Sequence, residues 1–276
     1  MWDVMFGYYL YEEAFQHITE TALLQNLTTL NELMVKLNDG YDRFYYSDSF
    51  WNVNVANGRT ISDCTSSPSI ERQFYYQVFP RMWPKLSRSE LCNNIDEFKS
   101  KSEEAICALW GVIFKNKDEY CLSTSEEVYD FRKKECKKYV LKNKSKETFQ
   151  KFFDVLFSNI KFCESAFVYI CSYSEAEIRQ ILERLLEIDE FGSNWTSGTF
   201  PMGALNSKTN LRASFESAST NNSSRLRLMR TFTLPNGKSE YFEAHIKMGN
   251  FRIHFFPDES THTIYIGYIG SHLDLS

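Results

Sequence analysis

The stretch that most constrains the fold is residues 241–255, because its apolar residues change parity across one short turn. In residues 241–248 the even positions, Phe242, Ala244, Ile246 and Met248, are apolar. The odd ones, Tyr241, Glu243, His245 and Lys247, are polar, which is the period-two signature of a half-buried strand. After Gly249-Asn250 the apolar set becomes Phe251, Ile253 and Phe255, with Arg252 and His254 between them. A Gly-first two-residue loop between such runs predicts a hairpin in which Met248 faces Phe251. Lys247 then lies opposite Arg252 and His245 opposite His254, all four on one face. Opposed cations repel, and an anion such as nucleic-acid phosphate removes that cost. This register predicts that the four polar side chains cluster and stay partly accessible, while Ile246, Ile253, Ile264 and Ile266 pack beneath helices. A bulge would reverse every side chain beyond it.

Further strands extend the pattern. In residues 263–269, keeping Ile264 and Ile266 in the core adds Tyr265 to the polar face, beside Tyr241, His245, Lys247, Arg252 and His254. If Leu226, Leu228, Phe232 and Leu234 form the apolar set of another strand, Arg225 and Arg227 join the same polar side. The histidines are concentrated here too: His245, His254, His262 and His272 all fall in the last 32 residues. From Trp195 onward the net charge is +2, whereas residues 1–194 carry −7 of the chain's −5 total. A slightly basic, His-rich tail on an acidic body suits a local nucleic-acid contact.

Upstream, the expectation is mainly helical. Leu23, Leu24, Leu27, Leu30, Leu33, Met34 and Leu37 recur at helical spacing over residues 22–37, and Asn38-Asp39-Gly40 is a stop signal. Residues 41–70 read as irregular, with Asn57-Gly58 a hairpin loop and a Thr-Ser-Ser-Pro cluster near residue 66 a further loop. Ser100 with Glu103, Ser123 with Glu126, and Ser174 with Glu177 have capping-box spacing and predict helices at 103–115, 125–141 and 175–189. A fourth, at 147–160, is marked by Phe149, Phe152, Phe153, Leu156 and Ile160. The basic residues Arg132, Lys133, Lys134, Lys137, Lys138, Lys142 and Lys144 read as a solvated helix face. Between 192 and 224 the composition turns to Ser, Thr, Asn and Gly, a linker or long loop. The fold class expected is therefore α+β, with a mainly helical N-terminal domain over 1–191 and a C-terminal antiparallel β-meander over 192–276. The helix at 175–189, preceded by a strand-like run at 166–171, can alternatively belong to the second domain.

Several function classes are disfavoured. The N-terminus carries Asp3, Glu12 and Glu13 instead of a basic region and an apolar run, and no stretch holds eighteen uncharged apolar residues, so neither a secretory signal nor a membrane span is expected. Seven cysteines without a CxxC pair suit free thiols in a reducing, cytoplasmic setting. GxGxxG, GxxxxGK[ST], HExxH and GxSxG are all missing. His245 and His254 across a hairpin lack a third ligand of obvious placement and sit beside two cations, so no metal or other cofactor is expected. His17 stands alone and reads as a packed or surface residue.

The run HIKMGNFRIHFFPDESTHTIYIGYIGSHL resembles the terminal strands of the RelE/ParE-type toxin superfamily, over roughly fifty of 276 residues. The two compact helices usual in that family before the strands are not evident immediately upstream. The resemblance implies a toxin or phage-defence effector acting on RNA, on or off the ribosome, beside an antitoxin or defence partner. Lys247 and Arg252 would hold phosphate, and His254, Tyr265, Tyr268 or His272 would transfer protons. Catalysis would be that of a metal-independent endoribonuclease, with His245 also on the active face and Arg225 and Arg227 binding nucleic acid. The alternative is a non-catalytic module of such an assembly that contacts nucleic acid or a protein.

Overall fold

A computed structural model describes residues 6–37, 40–66, 78–90, 98 and 106–273. The chain divides into two compact units, Met1–Arg132 and Lys133–Ser276. The boundary expected at 192 falls inside the second of these units.

The first unit is built on a parallel sheet, which the expectation of a mainly helical stretch over residues 1–191 does not include. Its strands are β1 (Phe6–Leu10), β2 (Asp42–Tyr46), β3 (Leu86–Arg88), β4 (Ile106–Trp110) and β5 (Cys121–Leu122), in the order β3-β2-β1-β4-β5. All neighbours pair in parallel. Every residue of β1 is buried, as are all but the first of β4. Strands covered on both faces need no alternation, so FGYYL and ICALW carry none. Between β1 and β2 runs α1 (Glu20–Lys36), with Thr19 accepting from the Ala22 amide at 3.2 Å and Leu23, Leu27, Leu30, Leu33 and Met34 buried. Asn26 ties this helix to β4: the Trp110 indole donates to its Oδ1 at 2.7 Å, and its Nδ2 donates to the Gly111 carbonyl at 3.2 Å.

Short helices α2 (Ile61–Ser66) and α3 (Phe79–Met82) follow β2. Ahead of α2, Asn57 and Gly58 have φ of +65° and +69°. Val55 donates to the Arg59 carbonyl at 2.8 Å and closes a three-residue turn, Ala56–Gly58, whose last two residues are left-handed. The helix expected at 103–115 is instead β4, while its capping pair, Ser100 and Glu103, lies outside the described residues, as do the Asn38-Asp39 stop and residues 67–70.

Helix α4 (Ser125–Lys142) carries the chain from one unit to the next. Its box forms one residue later than expected: the Glu127 amide donates to Thr124 Oγ1 at 3.2 Å, and the Glu127 carboxylate accepts from the Thr124 amide at 3.3 Å and also from the Ser123 amide at 2.6 Å. Arg132 departs from the solvated face assigned to it, being buried and paired with Asp42 at 3.0 Å. Lys133, Lys134, Lys138, Lys142 and Lys144 are exposed.

In the second unit α5 (Lys146–Leu156) buries Phe149, Phe152, Phe153 and Leu156, and it ends before Ile160, which opens β6 (Ile160–Phe162). Next comes α6 (Glu175–Ser193), started by the expected Ser174–Glu177 capping box. The segment read as strand-like at 166–171 instead forms 3-10 turns over Glu164–Phe167 and Ile170–Ser172. Then follow α7 (Met202–Lys208), β7 (Ala213–Phe215), α8 (Ala218–Asn222), α9 (Ser224–Met229), β8 (Thr231–Thr233), β9 (Ser239–Tyr241), β10 (Ala244–Met248), β11 (Phe251–Asp258) and β12 (Thr263–Ser271). The main sheet has the order β6-β12-β11-β10-β7 and is antiparallel except for β6 beside β12. Strands β8 and β9 form a separate antiparallel hairpin.

The register of β10 and β11 is the one the turn dictates: His245↔His254, Lys247↔Arg252 and Met248↔Phe251. Ile246, Ile253, Ile264 and Ile266 are fully buried on the core face, where a Cβ on Gly192 of α6 would sit 3.2 Å from Ile264. A bulge does occur, in β12: His254 pairs with Tyr268 but Phe255 pairs with Ile266, leaving Gly267 as the extra residue. Tyr265 and Tyr268, three apart, therefore both lie on the face opposite the isoleucines.

Candidate functional site

The polar face of the second unit's sheet is ordered in rows, because residues directly opposite across antiparallel strands share a face. Alternation in LRASFE sets up its outer edge: Leu211 and Ala213 are buried, whereas Arg212 is exposed and Ser214 half-buried. Pairing Ser214↔His245 and Ala213↔Ile246, with the Lys247 amide donating to the Arg212 carbonyl at 3.0 Å, puts Arg212 beside Lys247. Arg212, Lys247 and Arg252 thus form one row, which ends at Gly270 on β12, and Ser214, His245, His254 and Tyr268 form the next. Just past β7, Glu216 lies one row deeper.

The inner rows are shut away from water. His245 is 7% exposed and His254 1%. The hairpin β8–β9 provides the cover: Leu234, Phe242, Tyr265 and Cys163 form a small second core with Phe232 and Phe256 packed against it. A Cβ at Gly267 would fall 2.6 Å from Phe232 and Phe242, so only glycine lets the hairpin lie this close. The expectation that both histidines stay partly accessible is corrected accordingly.

Around the histidines the polar groups converge. Glu216 Oε1 accepts from Arg230 Nε at 2.6 Å, and it lies 3.6 Å from His245 Nδ1 and 4.0 Å from His254 Nδ1. Arg230 is 1% exposed and also donates to the Leu226 and Leu273 carbonyls at 3.1 and 3.4 Å. On the other side of the His245 ring, Nε2 is 3.3 Å from Ser214 Oγ, and His254 Nδ1 is 3.3 Å from the Phe242 carbonyl. Burial pulls the His245 pKa down to about 4, with Glu216 opposing and Lys247, Arg252 and Arg230 reinforcing. Burial, then the His245 charge, brings His254 down to about 3 against the Phe242 carbonyl bond. Both rings are neutral at pH 7, and neither reaches solvent to exchange a proton with a bound substrate.

The outer row differs. Lys247 and Arg212 are exposed and Arg252 is half-buried, its guanidinium turned onto the Gly249 and Phe251 carbonyls at 2.8 Å each. Glu243 and Asp258, the acids close enough in sequence to neutralise the row, are engaged elsewhere. Glu243 accepts from Asn221, and Asp258 accepts from Ser260 and Thr261. Among the described residues no carboxylate pairs with Arg212, Lys247 or Arg252.

The remaining expected site residues scatter. Tyr265 sits in the small apolar core, where burial raises its phenol pKa. Tyr268 packs edge-on to His254 with ring centres 5.8 Å apart and donates to the Ser271 carbonyl. His272 is exposed beside the Gly249-Asn250 turn, its amide donating to the Asn250 carbonyl. Arg225 and Arg227 are not on a strand: Ser223 caps α9 by accepting from the Leu226 amide at 3.4 Å, and both arginines ride that helix. Arg227 stacks over the Tyr241 ring at 4.3 Å. Sequence reasoning missed Arg212, Glu216 and Arg230, although the first two stand at alternate positions of LRASFE within a segment whose Ser, Thr and Asn content suggests a loop.

In the first unit, an open cavity of about 360 Å³ lies beyond the carboxyl ends of β1 and β2, lined by Glu12, Gln16, His17, Asn52 and Asn54 among others. His17, which reads as isolated in sequence, belongs to it and has a left-handed φ of +59°.

No protein-family model matches the chain, and neither a curated protein nor a solved structure matches it. Among the described residues no helix is long and apolar enough to cross a membrane.

Proposed function

We propose that the second unit binds RNA, with Arg212, Lys247 and Arg252 holding backbone phosphate, as an interaction module in a toxin–antitoxin or phage-defence assembly. The observation that carries the reading is the row of three cations on adjacent strands with no carboxylate of the described residues paired to it. Placing like charges directly opposite one another is unfavourable unless an anion bridges them. Charge bookkeeping agrees. Residues 133–276 hold nineteen Lys and Arg against sixteen Asp and Glu, a net of +3, while residues 1–132 carry −8. The similarity of the C-terminal strands to RelE-type toxins favours RNA over DNA as the source of phosphate.

Binding without cleavage is the form this geometry supports, because His254 has no path to a substrate in the closed arrangement. Anisotropy of a labelled single-stranded RNA, titrated with the full chain across a salt series, tests the reading. A log-log slope near −2 is expected if three phosphates are neutralised, at about −0.7 per contact. Replacing Arg212, Lys247 and Arg252 together by alanine should flatten it. Failure to bind at low salt, or an unchanged slope in the triple variant, overturns the reading, and tighter binding of a DNA of the same sequence overturns the choice of RNA. Incubation with RNA and ribosomes in chelator supplies the catalytic arm. Cleavage lost in His254→Ala would replace the binding module by a metal-independent ribonuclease.

A further inference from the structure

His245 has one ring nitrogen engaged and one without a partner. With Nε2–H donating to Ser214 Oγ at 3.3 Å, Nδ1 presents its lone pair inward, where it is buried and has no hydrogen-bond partner. A buried polar atom left in this way is uncommon and calls for an explanation. What it faces is Glu216 Oε1 at 3.6 Å, and the same oxygen lies 4.0 Å from His254 Nδ1. One ligand atom from each of Glu216, His245 and His254 lies within 4.8 Å of the others. Tetrahedral zinc with bonds of about 2.0–2.1 Å sets its ligand atoms about 3.3 Å apart, so only small side-chain movements separate this arrangement from a coordination sphere.

We propose that Glu216, His245 and His254 bind one divalent transition-metal ion of the zinc class, joining the segment after β7 to β10 and β11. The third ligand that the two histidines lack in the linear pattern is thus Glu216, and it is brought in by the β7–β10 pairing. Outer contacts of the kind such sites use are present. Arg230 holds the Glu216 carboxylate at 2.6 Å, and Ser214 fixes the His245 ring. The nearby cations decide which metal fits. Arg230 is balanced by Glu216, but Lys247 and Arg252 add positive field, and with a single carboxylate the set is too poor in oxygen for calcium or magnesium. Two imidazoles and a carboxylate suit zinc, cobalt or nickel. On His254, the metal would replace the proton shared with the Phe242 carbonyl. With the histidines and the carboxylate all buried, the role is to brace the sheet edge beneath the hairpin.

The full chain, stripped with chelator and dialysed, is titrated with Zn²⁺ against a chromophoric chelator and separately with Co²⁺. One equivalent should bind, with the visible absorption of tetrahedral cobalt, and X-ray absorption of the zinc form should show nitrogen and oxygen ligands with two imidazoles and no sulfur. Binding should be lost in His245→Ala and Glu216→Gln, with folding checked by circular dichroism, and weakened about tenfold in Ser214→Ala. Lack of stoichiometric binding, sulfur in the shell, or full affinity in folded variants overturns the proposal. If the variants do not fold, the ligand set read from the wild-type spectrum decides. The RNA titration is run in chelator, so the two proposals stand or fall separately.

Discussion

Arg230 Nε donates to Glu216 Oε1 at 2.6 Å, with both side chains less than a tenth exposed. An ion pair this deep contributes modestly when intact, because desolvation offsets attraction, but removing one partner strands a buried charge. Arg230→Ala should therefore cost about 3–5 kcal/mol in urea unfolding of the full chain. Adding Glu216→Gln should recover much of the loss. A single-variant cost below about 1 kcal/mol would show that the pair is dispensable.

Gly267 gives a second expectation. A methyl group there meets Phe232 and Phe242 at 2.6 Å, so Gly267→Ala must push the β8–β9 hairpin outward. About 1–3 kcal/mol of stability should be lost, as is usual for overpacking. Faster hydrogen exchange across residues 231–242 should accompany it. Unchanged exchange there would mean that the contact is relieved some other way.

The thiols should label in a fixed order. Cys171 is exposed, whereas Cys64, Cys107, Cys121, Cys136 and Cys163 are buried, and burial pushes the Cys163 thiol up to about 12. Since the thiolate is the reactive form, iodoacetamide at pH 8 should modify Cys171 well before any of these five. Peptide mass mapping over time checks it, and early labelling of Cys163 would contradict the packing beneath the hairpin.

Helix α6 depends on its cap. Ser174 and Glu177 bond reciprocally, with the Glu177 carboxylate accepting from the Ser174 amide at 2.7 Å. Ser174→Ala should cost about 1 kcal/mol, whereas Ser172→Ala, outside the box, should cost less than half of that. Equal losses would deny the box a special role.

These contacts differ in how far they can be read from the chain alone. The β10–β11 register was legible because a two-residue turn and strict alternation leave no freedom, and α1 and α6 were legible from spacing and caps. β1 and β4 were not, since strands buried on both faces lose the alternation that marks a strand, and the Ser100–Glu103 pattern before β4 suggested a helix instead. In the site, Lys247, Arg252, His245 and His254 followed from local pattern. Their burial did not, because the cover comes from Phe232, Leu234 and Phe242 folding back over the sheet, and nothing in the alternation of β10 and β11 encodes that return. Arg225 and Arg227 went astray because a Ser223 cap outweighed an apolar alternation that suits a strand equally well.

The bulge at Gly267 makes strand length itself a form of information. Ile264 and Ile266 count by twos along one face and Ile269 resumes that face only after three, so the chain carries a deliberate miscount at one address. Removing Gly267 would return the count to twos: Ile264, Ile266 and Ile269 would keep the core face and Tyr265 and Tyr268 the other, with only the bulge lost. Deleting Tyr265 instead would leave either Ile264 or Ile266 facing outward. Among single-residue deletions followed by circular dichroism, loss of Gly267 should therefore leave a folded chain and loss of Tyr265 should not, whereas deletions in the exposed turn at 259–261 should be tolerated.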